Sequence, residues 1–180
     1  MPATYEPIAT YTVPSGTPTS YTFTSIPQTY TDLILVSGFA GNYPSNDRSQ
    51  IGIQVGNGSA DTGSNYSSTV LTGNGTTVSS SRPATADQFS VSTFPLGPSS
   101  SLQQANVIVH FINYTNTASY KSILTRNTQM NSANNTPSTT TQVGTWRSTS
   151  AINTIKIKDL GNLYYFYAGS FFTLYGIKAA

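Results

Sequence analysis

Six carboxylates and one imidazole make up the ordinary acid–base equipment of this chain: Glu6, Asp32, Asp47, Asp61, Asp87, Asp159 and His110. A protein with two carboxylates about 5–10 Å apart can hydrolyse glycosidic bonds, one acting as the acid and the other as nucleophile or base. Asp32 precedes an apolar strand pattern, Asp159 ends one, and Glu6 lies near the N-terminus. That leaves Asp47, Asp61 and Asp87 in polar loop-like segments where such a pair could form. Aspartate in such segments more often forms turns, because its side chain bonds to nearby backbone, so the turn reading is the stronger.

His110 could serve as a general base, but it interrupts the apolar run Val107-Ile108-Val109-His110-Phe111-Ile112 with no nucleophile motif beside it. A hydrogen-bonded core or interface histidine is the expectation. The segment Asp61-Thr62-Gly63-Ser64-Asn65 carries oxygen ligands at alternate positions, as calcium loops do, but lacks the second carboxylate and the distal glutamate of an EF-hand. No metal, cofactor or enzymatic activity is expected.

Aromatic residues are the better functional signal, since subunit interfaces are enriched in them. Tyr164, Tyr165, Phe166 and Tyr167 are consecutive, so they cover both faces of any strand they form, one suited to the core and the other to a subunit contact. Tyr43 and Tyr66 lie in Gly/Asn/Ser-rich segments and are candidate exposed rings for a glycan or a neighbouring subunit. Trp146, the only tryptophan, is expected in the core.

The background to these residues is a chain of 180 residues in which only 14 are charged, with a formal charge of +2 and no cysteine. Hydroxyls and amides take the place of charge: 28 Thr, 25 Ser and 14 Asn. Disulfide frameworks and Cys-ligated zinc are excluded. The cations form no basic run of the kind that tracks a phosphate backbone, so nucleic acid is not an expected partner. No apolar run approaches the roughly 20 residues of a membrane-spanning helix, and the N-terminus has no basic and apolar leader, so synthesis in a cytoplasm without membrane insertion is expected. The five Asn-x-Ser/Thr sequons, at Asn57, Asn65, Asn74, Asn113 and Asn134, follow from composition.

Apolar runs of four to eight residues recur without helical periodicity, and Gly, Pro, Asn and Ser separate them. They predict a single-domain, all-β antiparallel sandwich. About eleven short strands are expected, over 4–13, 20–26, 33–39, 50–55, 68–72, 88–94, 106–114, 120–127, 142–147, 152–158 and 171–177. Segments 57–68, 79–88 and 127–141 read as surface loops, and 1–19 as a possible extended N-terminal arm. The run 107–112 suggests a central strand covered on both sides. The alternation of Ile155 and Ile157 with Lys156 and Lys158 suggests a strand that buries one face and wets the other, on an outer sheet.

Phe23-Thr24-Ser25-Ile26-Pro27-Gln28-Thr29-Tyr30-Thr31-Asp32-Leu33 resembles small β-sandwich virion surface proteins of tailed bacteriophages. Thr62-Gly63-Ser64-Asn65-Tyr66-Ser67, Ile112-Asn113-Tyr114, Trp146-Arg147-Ser148-Thr149 and Phe171-Phe172-Thr173-Leu174-Tyr175-Gly176-Ile177 are similar in kind and order, so the resemblance spans most of the chain. It implies a jelly-roll-like sandwich, a homotrimer, and no catalytic residues. The expected function is a virion structural protein, foremost a capsid decoration (cement) protein whose partners are the major capsid protein or other virion proteins. A tail-fibre or tail-tip protein recognising host surface glycans is the alternative, and a polysaccharide depolymerase ranks third.

Overall fold

In the computed structural model, residues 4–42, 50–93, 96–97, 104–131, 136–161 and 164–178 are described. They form β1 (Tyr5–Thr12), β2 (Ser20–Phe23), β3 (Asp32–Phe39), β4 (Gly41–Asn42), β5 (Gln50–Gly56), β6 (Tyr66–Gly73), β7 (Val78–Ser81), β8 (Phe89–Thr93), β9 (Leu96–Gly97), β10 (Ala105–Ile112), β11 (Lys121–Asn131), β12 (Thr136–Trp146), β13 (Thr154–Asp159), β14 (Tyr165–Phe166) and β15 (Phe171–Ile177). Each of the eleven expected strands has its counterpart, and β4, β7, β9 and β14 are additional.

Two antiparallel sheets make the sandwich: eight strands in the order β1-β15-β3-β10-β11-β12-β6-β7, and four in the order β2-β13-β5-β8. The short segments β14-β4-β9 form a third sheet. Within the larger pattern β1-β15-β3-β10 and β2-β13-β5-β8 form an eight-strand set. Numbered in chain order, its strands run 1-8-3-6 in one sheet and 2-7-4-5 in the other, the strand order of a jelly roll. Two insertions widen one side. The β6–β7 hairpin comes between the fourth and fifth strands of the set and β11–β12 between the sixth and seventh, and all four add to the edge at β10.

Alternation decides which side chains meet between the sheets. Leu33 and Leu35 of β3, Val107, Val109 and Phe111 of β10, and Ile123 of β11 face Ile53, Val55, Phe89, Val91, Ile155 and Ile157 in one buried cluster. β8 lies over β10, β11, β12 and β6, and so covers the inserted strands as well as closing the smaller sheet.

The structure corrects several sequence expectations. Residues 127–131 and 136–141 are not loop: they belong to the long β11 and β12, paired from Lys121↔Trp146 to Asn131↔Thr136. Their Thr/Ser/Asn content hid the strands, although threonine is a good strand former. Likewise β7, Val78–Ser81, takes up the start of 79–88, and 66–68 begins β6. Residues 5–12 are an edge strand paired with β15, not a free arm, and Tyr11 stacks on Tyr21 with ring centroids 3.8 Å apart.

β10 is central but covered on one side only. Val107, Val109 and Phe111 are buried, while Ile108 and His110 are half-buried and Ile112 is exposed on the opposite face. β13 is an interior strand of the smaller sheet, between β2 and β5, and Lys158 and Asp159 are buried there, so its polar face is not simply wet.

Gly144 of β12 lets β8 approach: a Cβ there would stand 2.6 and 2.8 Å from the Phe89 ring and 2.9 Å from Ile123 Cγ1. Gly144→Val should therefore destabilise the fold by about 1–3 kcal/mol through overpacking. Urea unfolding checks this, and a midpoint equal to that of the parent would show that Phe89 does not press on this glycine.

Candidate functional site

Asp61 sits at the centre of a hydrogen-bonded node that the sequence divides among three segments. Its Oδ1 accepts from the Gly63 N–H at 2.8 Å. Its Oδ2 accepts from Asn65 Nδ2 at 2.9 Å and from the Trp146 indole Nε1 at 2.7 Å. The Tyr66 hydroxyl lies 2.7 Å from the Asp61 carbonyl and accepts from the Val55 N–H at 3.1 Å. Arg147 reaches the carbonyls of Ala84 and Ser64, tying the neighbouring loop to the same node.

Burial pushes the Asp61 carboxyl upward, but donors from Trp146, Asn65 and Gly63 outweigh it and hold the group below its ordinary 3.8. Burial also raises the Tyr66 phenol far above its ordinary 10.0. With both Asp61 oxygens facing N–H donors, the arrangement is that of a structural acceptor. The same N–H groups oppose the calcium reading, since a cation needs free oxygen lone pairs.

The candidate residues do not come together in one place. Tyr66, expected as an exposed ring, is fully buried, because its hydroxyl pins the 57–65 loop and its ring meets Phe89 edge-on at 4.9 Å. Tyr43 and Asp47 lie outside the described residues. Asp87 is exposed, and its carbonyl accepts from Gln54 Nε2. Trp146 is buried as expected, with the added indole bond to Asp61.

In the aromatic run, Phe166 belongs wholly to the core, edge-on to Phe172 at 5.0 Å and to Phe39 at 6.2 Å, which removes it as an interface ring. Tyr164, Tyr165 and Tyr167 are half-buried. Burial, and secondarily Tyr165, raise the Tyr167 phenol.

His110 does have an acidic partner, 78 positions away in sequence: its Nε2 is 2.9 Å from Asp32 Oδ2, while Asp32 Oδ1 accepts the Asn113 N–H at 2.7 Å. The antiparallel pairing of β10 with β3 brings the two together. Another buried ionisable group escaped sequence reasoning. Lys121 donates to the carbonyls of Ser119 (2.9 Å) and Thr149 (3.2 Å), and burial lowers its pKa. Among the described residues no group of three or more His, Cys, Asp or Glu side chains could hold a metal.

The outward face of the eight-stranded sheet is the larger feature. Register aligns Tyr175, Ile34, His110, Leu124, Val143 and Thr69 across six strands. Val143 is 57% exposed and Val78 82%, with Leu71, Leu124 and Ile112 also open to solvent. Hydroxyl-bearing residues such as Ser122, Thr128 and Thr141 intervene, and Arg126 is the cation of this strand face. Isolated exposed aliphatics are ordinary, but a group of them on one sheet face marks a surface suited to contact.

No protein-family model matches the chain, and no curated protein or solved structure shows significant similarity to it.

Asp61→Ala should cost about 1–3 kcal/mol at neutral pH, because it leaves the Trp146 and Asn65 donors without their acceptor. Since the folded-state pKa is depressed, the wild-type advantage is fully present above the ordinary value of 3.8 and disappears as pH falls through the folded value. Urea unfolding of both proteins between pH 7 and 2 checks this. A stability gap that stays constant across the range would refute the role of the ionised carboxylate.

Proposed function

We propose that this chain is a non-catalytic surface protein of a tailed-phage virion, acting as a trimeric capsid decoration protein that lays the outward face of its eight-stranded sheet on the shell. The observation that carries the reading is that face. The inserted strands broaden a jelly-roll sheet and add Leu71, Val78, Leu124 and Val143 to its outer surface with little charge. Resemblance of the sequence segments to phage β-sandwich proteins supplies the biological setting. A broad, weakly charged surface fits adhesion between proteins, and a cyclic trimer would use one contact set three times.

Leu124 and Val143 are directly opposed on β11 and β12, which makes them the central test of this surface. The rival location, a tail fibre reading glycans through exposed tyrosines, loses Tyr66 because that ring is in the core.

Cryo-EM of the virion should place the chain at threefold or quasi-threefold positions on the head, and density confined to the tail would overturn the proposal. In reconstitution on undecorated capsids, Leu124→Glu combined with Val143→Glu should lower occupancy at least about tenfold while leaving the thermal midpoint nearly unchanged. Occupancy of the parent protein should change less than about threefold between low and moderate salt, since few charges contribute. A steep salt dependence would contradict the proposed contact.

A further inference from the structure

At one end of the eight-stranded sheet, beside the β6–β7 turn, is an open groove of about 500 Å³, within the range of small-ligand sites. We propose that this groove binds a neutral saccharide.

Pairing brings four groove positions into one row on adjacent strands: Asn106↔Thr128 on β10 and β11, Thr128↔Thr139 on β11 and β12, and Thr139↔Gly73 on β12 and β6. Gln104 and Pro137 complete the described wall that matters here. Among the described residues no charged side chain lines the groove, and most of its surface is carbon, with amide and hydroxyl groups set into it. Among the described residues, the side chains of Gln104, Asn106 and Thr128 make no hydrogen bond, so their donors and acceptors are available to a ligand.

The glycines keep the space open. A Cβ on Gly73 would meet only the Thr139 methyl at 3.9 Å, and one on Gly75 would meet nothing within 4 Å. One strand beyond Asn106, the Phe171 ring lies against Gly38, and Asn106 Oδ1 stands over the same glycine. A half-buried ring therefore borders the amide end of the row.

A sugar presents both of the surfaces this groove complements. Its C–H faces can rest on threonine methyls, the proline ring and glycine backbone, while its hydroxyls exchange water for Asn106, Gln104 and Thr128. A phosphate or carboxylate ligand would find no cation in the lining, and a purely apolar ligand would strand three polar side chains.

This inference does not rest on the virion assignment, and because the row lies on the same outward face that decoration would cover, it is tested on the free chain: a free chain that ignores sugars overturns this inference alone. The test is saturation-transfer NMR and calorimetric titration of the full chain with glucose, galactose, mannose, N-acetylglucosamine and their disaccharides, alongside uronic acids and sialic acid. At least one neutral sugar should bind saturably and the anionic sugars should not. Asn106→Ala combined with Thr128→Val should weaken that binding about tenfold or more. Gly73→Leu, which fills the groove from a position with room for a side chain, should abolish it. Leu124→Glu combined with Val143→Glu should leave it intact.

Titration with dextran and galactomannan separates two sources of the same chemistry. Stronger binding per sugar unit to the polymer identifies a surface polysaccharide, and equal binding identifies a free sugar. No neutral-sugar binding up to about 10 mM, a preference for the anionic sugars, or equal affinity in the groove variants would overturn the proposal. Circular dichroism and the thermal midpoint of each variant establish that a loss of binding is not a loss of fold.

Discussion

Contact between Phe89 and Gly144 joins the two parts of this molecule. β8 closes the four-stranded sheet, and the same strand must cover the added β11, β12 and β6, so one ring is pressed into the space that a missing side chain leaves. From that ring the packing continues edge-on to Tyr66, whose hydroxyl bonds Val55 and the 57–65 loop. The loop carboxylate of Asp61 then receives the indole of Trp146 at the end of β12. A jelly roll could exist without the extension, but the extension could not bury its inner face without β8.

Near-absence of charge shapes how that joint is satisfied. Within the inserted strands, Asn127 is buried, and its amide donates to the Val91 carbonyl of β8 at 2.5 Å while its side-chain oxygen accepts from the Thr140 N–H at 3.1 Å. Beside it, the cross-strand neighbours Thr125 and Gln142 are buried with polar side-chain atoms that have no hydrogen-bond partner among the described residues. Each such group costs about 1–3 kcal/mol. Three of the four such atoms lie in the extension, on Thr125 and Gln142, and the fourth is Gln88 Oε1, next to β8 and against Gly52 of β5. The same composition produces the outer surface: with so few ionisable residues, a wide sheet face is left to aliphatics, threonines and serines.

Much of the framework was legible in the residues. Ile51, Ile53 and Val55, or Leu33 and Leu35, carry enough apolar periodicity to mark strands without a partner in view. β11 and β12 were legible only at their apolar ends, because Thr136–Gln142 lacks the alternation that separates a strand from a polar loop. The pairing of His110 with Asp32 and of Trp146 with Asp61 had no local signature, since each joins strands or loops distant in sequence. Tyr66 misled for the same reason: a ring among Gly, Asn and Ser reads as exposed until the loop is seen folding back onto its hydroxyl.

By itself, then, the sequence determined the all-β class, the approximate places of eleven strands, and a neutral surface chemistry of hydroxyls and amides, because these follow from side-chain type and local period. Tertiary structure decided which face each strand shows. β10 has one open side because the smaller sheet covers only the other, and β13 is interior because β2 and β5, both far earlier in the chain, flank it. The row Asn106, Thr128, Thr139 and Gly73 likewise exists only through register, which aligns residues up to 66 positions apart on four strands. Those relations depend on long-range pairing, and no stretch of residues shorter than the fold contains them.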